Sequence, residues 1–217
     1  MAEYNRILDE LTANYPALIP CAGDIRAAFE LIAGCFEGGG KLLVCGNGGS
    51  AADSGHIAGE LMKGFKLSRK LGGGETALFE KIPQGAQLAA MLQNALPAVA
   101  LDAHTALITA VMNDTSADAV FAQQVWAYAK NSPDTLLALS TTGSSANIVN
   151  AAKTAFALGR KVISVTGALS SELEKFSDVC VKIPETETYR VQELTLPVYH
   201  ALCAMAEEYF FGSDMGE

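Results

Sequence analysis

Lys41-Leu42-Leu43-Val44-Cys45-Gly46-Asn47-Gly48-Gly49-Ser50 runs an apolar segment directly into a glycine-rich one. Five residues without polar alternation read as a strand buried on both faces, as in a parallel sheet. Gly46, Gly48 and Gly49 let the backbone turn tightly and bring it close to a ligand. Ser50 suits a helix N-cap, with the free N–H groups and positive dipole end of the following helix above the loop. Strand, glycine turn and helix start together predict an anion site, most often one for phosphate. Two turns further on, His56 and Glu60 fall on one helix face at i and i+4, a pair able to move protons or hold a metal.

Outward from this stretch, apolar runs recur at 98–101, 135–139, 162–165 and 179–183. Helical patterns separate them near 50–65, 85–95, 104–112, 117–130, 145–158 and 170–176, and a long final helix covers 187–211. Two amphipathic helices, 3–14 and 22–37, precede the first strand, and Gly38-Gly39-Gly40 stops the second. The alternation predicts an α/β fold: a doubly wound, three-layer domain on a parallel five-stranded sheet. No repeat or linker divides the chain, so 1–217 reads as one domain with an N-terminal helical hairpin over 1–38.

A second loop repeats the chemistry of the first. Ser140-Thr141-Thr142-Gly143-Ser144-Ser145 follows the strand at 135–139 and precedes a helix. Its hydroxyls suit uncharged recognition of phosphate at the carboxyl end of a parallel strand, where ligands of such sheets bind. Gly46-Asn47-Gly48-Gly49 has neither the third glycine of a dinucleotide loop nor the lysine of a Walker loop.

Composition limits the alternatives. The 217 residues are 50% hydrophobic and 18% charged, which is globular, and the formal net charge of −9 opposes broad binding to nucleic acid or to anionic membranes. Cys21, Cys35, Cys45, Cys180 and Cys203 show no CxxC spacing and read as reduced, mostly buried thiols. The polar start Met1-Ala2-Glu3-Tyr4-Asn5-Arg6 carries no signal-peptide pattern, and no apolar run is long enough to span a membrane. A cytoplasmic protein is expected.

The chain has three histidines. His104 reads as structural, while His200 lies on the last helix with Gln192 and Glu193 two turns earlier. Gly46-Asn47-Gly48-Gly49-Ser50-Ala51-Ala52-Asp53, then His56 and Glu60-Leu61, resembles the sugar isomerase (SIS) domain of phosphoheptose isomerases. So do Asn113-Asp114, Ser140 to Asn147, and Arg190-Val191-Gln192-Glu193 followed by His200. The resemblance spans nearly the whole chain in the family's order. It implies a flavodoxin-like fold and a homotetramer that interconverts sedoheptulose 7-phosphate and D-glycero-D-manno-heptose 7-phosphate through an enediol. It places zinc, one ion per subunit, at His56, Glu60, Gln192 and His200. It places substrate at Asn47, Gly48, Gly49, Ser50, Glu60, Asn113, Asp114, Ser140, Thr141, Thr142, Ser145 and Gln192, with Glu60 as base and His200 as acid.

Gln192 and His200 are eight residues apart, roughly 12 Å along an ideal helix. One ion shared by both requires a distorted helix start or ligands from different subunits. The sequence also departs from the family pattern in two places. Gly64 stands where many members have arginine, with Lys63 beside it as a substitute charge. Phe65 to Pro97 is longer than the family pattern, an insertion at about 66–95 that reads either as a lid or as a surface or interface elaboration. Two competing functions follow: an isomerase or binding protein for another sugar phosphate, and a tetrameric adaptor of the family's replication-initiator-associating branch, which lacks the catalytic pair. His56, Glu60 and His200 are all present here, which favours the enzyme.

Overall fold

A computed structural model describes residues 3–212. Met1, Ala2 and 213–217, which the single-domain expectation includes, lie outside the described residues. The sheet has five parallel strands: β1 (Leu42–Cys45), β2 (Ala98–Ala100), β3 (Thr135–Leu139), β4 (Val162–Thr166) and β5 (Val179–Lys182), in the order β2-β1-β3-β4-β5. That is the flavodoxin-like order, whose chain direction reverses between β1 and β3. In register, Leu43 lies opposite Leu136 and Val44 opposite Leu137, so alternate residues of both strands supply opposite faces.

One face, carrying Leu42, Val44, Leu137, Leu139, Ile163 and Val165, is covered by α1 (Glu3–Asn14), α2 (Ala22–Glu37), α3 (Gly49–Met62) and α9 (Thr188–Phe211). The other, carrying Leu43, Leu136, Ala138 and Val162, is covered by α7 (Val120–Ala129) and α8 (Ala146–Ala157). Strands enclosed on both sides need no polar alternation, which is why β1 reads as an unbroken apolar run and β3 as one after Thr135.

The N-terminal helices turn their apolar stripes into this chain's own core: Leu8, Leu11, Ile25, Phe29 and Ile32 are buried there, and Tyr4, Phe29 and Tyr209 of α9 form an aromatic cluster. In α6 (Thr105–Asp114) Ala106, Leu107, Ile108, Val111 and Met112 make the helix largely apolar, yet none is buried: Ile108 and Val111 rest half-buried on the second core, and Ala106 and Met112 are exposed. All five cysteines are free, and four of them are buried. Burial pushes the Cys203 thiol up to about 12, so it stays protonated.

The 66–95 segment is closed at its base. Lys70 and Gln93 form an antiparallel bridge, the Asn94 N–H donates to the Arg69 carbonyl (2.6 Å), and the Leu96 N–H donates to the Leu61 carbonyl (3.0 Å). Between these ties, α4 (Gly73–Ala77) and α5 (Gly85–Met91) are short, and Leu78 and Met91 stand exposed.

Candidate active site

The two loops meet over the switch point between β1 and β3. Asn47 and Asn147 bind them together, each side-chain amide donating to the other's oxygen at 2.9 Å. Gly48, with φ of +55°, caps α3, and Ser50 lies in the helix's first turn rather than at the cap. A Cβ on Gly46 would stand 2.3 Å from the Ser50 carbonyl oxygen, so the turn is open only to glycine. Gly49 lies against the Gln192 side chain: a Cβ there would be 2.6 Å from its Nε2.

Between the loops is a cavity of about 300 Å³, lined by Asn47 to Ser50, by Ser140, Thr141 and Ser145, and by Thr188 and Gln192 of α9. Its walls include the starts of α3 and α8, the positive ends of two helix dipoles. The Ser145 hydroxyl occupies the cap position of α8 but makes no capping bond; it accepts from the Ser140 hydroxyl at 3.5 Å on the cavity wall. Thr188 is absent from the residues expected from sequence. It precedes Gln192 by four positions, one turn on the same helix face, which is the signal that could have found it. Thr142 lies outside the cavity lining, and its hydroxyl is paired with that of Ser144 at 2.8 Å. Asn113 and Asp114 also lie outside it, exposed at the end of α6, where the Asn113 amide donates to Asp114 (2.8 Å).

Farther along α3, His56 Nε2 lies 3.1 Å from Glu60 Oε1, and Lys63 Nζ is 3.3 Å from Glu60 Oε2. Lys63 therefore brings a positive charge to the carboxylate. His56 Nδ1 is 3.0 Å from the Tyr199 hydroxyl, which donates to Asp53 Oδ1 at 3.3 Å. Burial and Asp53 push the Tyr199 phenol well above its ordinary range, so it keeps its proton. With that proton directed at Asp53, the phenol oxygen accepts from His56 Nδ1–H, and His56 Nε2 faces Glu60 with a lone pair. A lone pair opposite a carboxylate needs a proton or a cation between them.

His200 completes the cluster, its ring 5.0 Å from that of His56 and 5.5 Å from Phe65. Its Nε2 is buried and, among the described residues, has no hydrogen-bond partner. Burial first, and His56 second, hold its pKa below the ordinary histidine value, which favours neutral imidazole. Neutral imidazole has one N–H donor and one acceptor nitrogen, and so can relay a proton between two oxygens.

The orphaned His200 nitrogen and the His56–Glu60 pair are donors of the kind zinc takes. The single chain nevertheless forms no group of three His, Cys, Asp or Glu suited to one ion among the described residues, and Gln192 sits beside Gly49 in the phosphate cavity. Helical spacing pointed to His56 and Glu60, and the family resemblance to His200; neither pointed to Tyr199 as the partner of His56 and Asp53.

The SIS domain family matches residues 18–92 and 71–167. A phosphoheptose isomerase of Akkermansia muciniphila is 33% identical over 98% of this chain and 100% of its own length. The chain belongs to the phosphoheptose isomerase family of SIS domains. A second member, from Rhodospirillum rubrum, is 36% identical over 87% of each chain. The solved structure of a phosphoheptose isomerase from Francisella tularensis superposes with a TM-score of 0.72 at 30% identity, covering 96% of this chain and all of that one. The two stretches matched to the SIS family overlap at 71–92, the residues that carry α4 and α5.

Proposed function

We propose that the chain interconverts sedoheptulose 7-phosphate and D-glycero-D-manno-heptose 7-phosphate as an aldose–ketose isomerase. The observation that carries this reading is the hydroxyl-lined cavity at the sheet's switch point, with the His56–Glu60–His200 cluster on the same two helices that line it. The names of the relatives support the substrate.

In this reading the phosphate docks between Ser50 and the Ser140–Ser145 loop. Glu60 takes a proton from C1 of the ketose, leaving an enediol, and returns it to C2. His200 moves the second proton from the C1 hydroxyl to the C2 oxygen, so the reaction balances without any other reactant. A hydroxyl bonded to a charged group contributes about 1.5–3 kcal/mol. Ser145→Ala should therefore raise the Michaelis constant by roughly tenfold or more with kcat largely kept. An unchanged constant would place the phosphate elsewhere.

Zinc fits the donor chemistry of His56, Glu60 and His200, with Gln192 as the remaining ligand implied by the family resemblance. When bound, the ion would polarise the substrate's oxygens. Elemental analysis of protein purified without chelator is expected to find zinc, and His56→Ala to lose it. Equal metal content in both would remove this assignment.

The outer apolar residues of α6, with Met112 exposed and none buried, support a homo-oligomer, and family resemblance supports a tetramer with two-fold axes. Static light scattering should then give about four times the 22.7 kDa chain mass, and a mass near 22.7 kDa would refute assembly. No helix among the described residues is long and apolar enough to cross a membrane. The cytoplasm, where the phosphorylated sugar would be met, is the compartment this reading proposes.

A further inference from the structure

Behind the cluster, on the side away from the phosphate cavity, is an ion pair shut off from water. The side chains of Arg69 and Glu207 are 0% and 1% exposed, with Arg69 Nε 2.7 Å from Glu207 Oε1. Its other polar contacts reach the end of α3 and the backbone of 65–67. The guanidinium donates to the carbonyl of Leu61 (2.7 Å) and to that of Glu60 itself (3.2 Å). Both lie in the last turn of α3, where carbonyls have no partner within the helix. Glu207 accepts from the backbone N–H groups of Phe65 (2.7 Å), Lys66 (2.7 Å) and Leu67 (3.0 Å). Phe65 is the residue whose ring lies on His200. Glu207 is seven positions beyond His200 on α9, two turns along the same face.

The pair is therefore a polar link between the helix end bearing Glu60 and the helix bearing His200, one that lies farther along both helices than the His56–Tyr199–Asp53 contacts. We propose that Arg69 and Glu207 are positioning residues that hold these two side chains in register, an inference that rests on the isomerase reading above. Helices packed by apolar contacts alone tolerate small slides, because dispersion has no direction. A planar guanidinium forked between two carbonyls and a carboxylate has one good arrangement. A buried ion pair is weak evidence for stability, since desolvation offsets its attraction, and geometric specificity is the role it can serve. Phe211, whose ring lies 4.9 Å from the guanidinium carbon, covers the pair from the helix's far end.

Arg69→Lys tests this. Lysine keeps the charge opposite Glu207 but cannot reach both carbonyls in a planar fork. The variant is expected to be folded, to have the wild-type oligomeric mass and to bind sugar phosphate with nearly the wild-type Michaelis constant. Its kcat should fall by about 10²-fold, the usual consequence of a misplacement near 1 Å. Assays are run well below the variant's own melting midpoint, so that loss of folded protein does not count as loss of kcat. Glu207→Gln, which keeps one acceptor oxygen for the 65–67 backbone, should show a smaller loss of the same kind. Wild-type kcat in folded Arg69→Lys, or a loss confined to the Michaelis constant, would overturn the proposal. If neither variant accumulates as folded protein, the pair is a folding requirement and the positioning role also falls. Glu60→Gln is run alongside. Turnover that survives Glu60→Gln removes the base assignment whatever Arg69→Lys does, whereas turnover lost in Glu60→Gln and intact in Arg69→Lys removes the positioning role alone.

Discussion

Glu60→Gln is expected to lower turnover of sedoheptulose 7-phosphate by about 10²–10⁴-fold, the usual worth of a general base. The amide keeps the shape of the carboxylate and can still face His56 and Lys63, but it cannot accept a proton from carbon. The backbone carbonyl of Glu60, which Arg69 holds, is untouched, so the variant should fold and assemble as wild type does. His200→Asn should cause a comparable loss, because His200 Nε2 has no structural bond among the described residues and is free for chemistry. Combining the two should cost far less than the product of the single effects, since the groups serve one proton inventory. Steady-state assays on all three variants decide it. Retained turnover in Glu60→Gln would sink the mechanism, and a wild-type chain inactive on heptose, hexose and pentose phosphates would favour a binding role instead.

Gly46→Ala is the second large effect. The added methyl would meet the Ser50 carbonyl oxygen at 2.3 Å, and that oxygen belongs to the first turn of α3. Backbone cannot rotate away as a side chain can, so the loop and the helix start must move together. Overpacking of this kind costs about 1–3 kcal/mol and occasionally more. At the upper end, about 1.4 kcal/mol per tenfold makes this a loss near 10² in affinity for the sugar phosphate. Isothermal titration with sugar phosphate should show the loss, with far-UV circular dichroism unchanged because the sheet below is not touched. Wild-type affinity would show that the loop does not hold the phosphate.

The fold was legible wherever local pattern suffices. Enclosed on both faces, β1 appears as an apolar run and so does β3 after Thr135, and the glycine and hydroxyl loops mark the carboxyl ends of β1 and β3. Where local pattern is thin, the reading was coarser. Gly73–Ala77 forms a short helix within a glycine run that carries no periodicity, and Glu75 stabilises its start by accepting from the Gly72 N–H at 2.6 Å. The expected helix at 117–130 begins instead with a 3-10 turn over Ala117–Ala119, whose Ser116 hydroxyl accepts from the Asp118 N–H. Around 170–176 only Leu173–Phe176 is helical, again as a 3-10 turn.

The site was legible residue by residue but not in its supports. His56 and Glu60 are a single helical turn apart, and spacing exposes them. Tyr199 meets His56 across 143 positions and Arg69 meets Glu207 across 138, and no periodicity encodes such distances. Gln192 illustrates the opposite limit. Its helix and its neighbourhood to His200 in sequence are plain, yet α9 turns its side chain to Gly49, a choice fixed by the loop it packs on.

The bridge between Lys70 and Gln93 has a consequence for how this chain can change over time. Facing residues of an antiparallel bridge stand about 5 Å apart, so the two stems of the 66–95 segment are already joined before residues 71–92 take any shape. Lengthening a closed loop is cheap, about 0.6 kcal/mol for each doubling. Arg69 and its contacts lie on the near side of that closure, tied to α3 and α9. Descendants of this sequence can therefore trade, shorten or enlarge the material above the cleft while inheriting its proton-moving groups unaltered, so that novelty in recognition need not be relearned as novelty in folding.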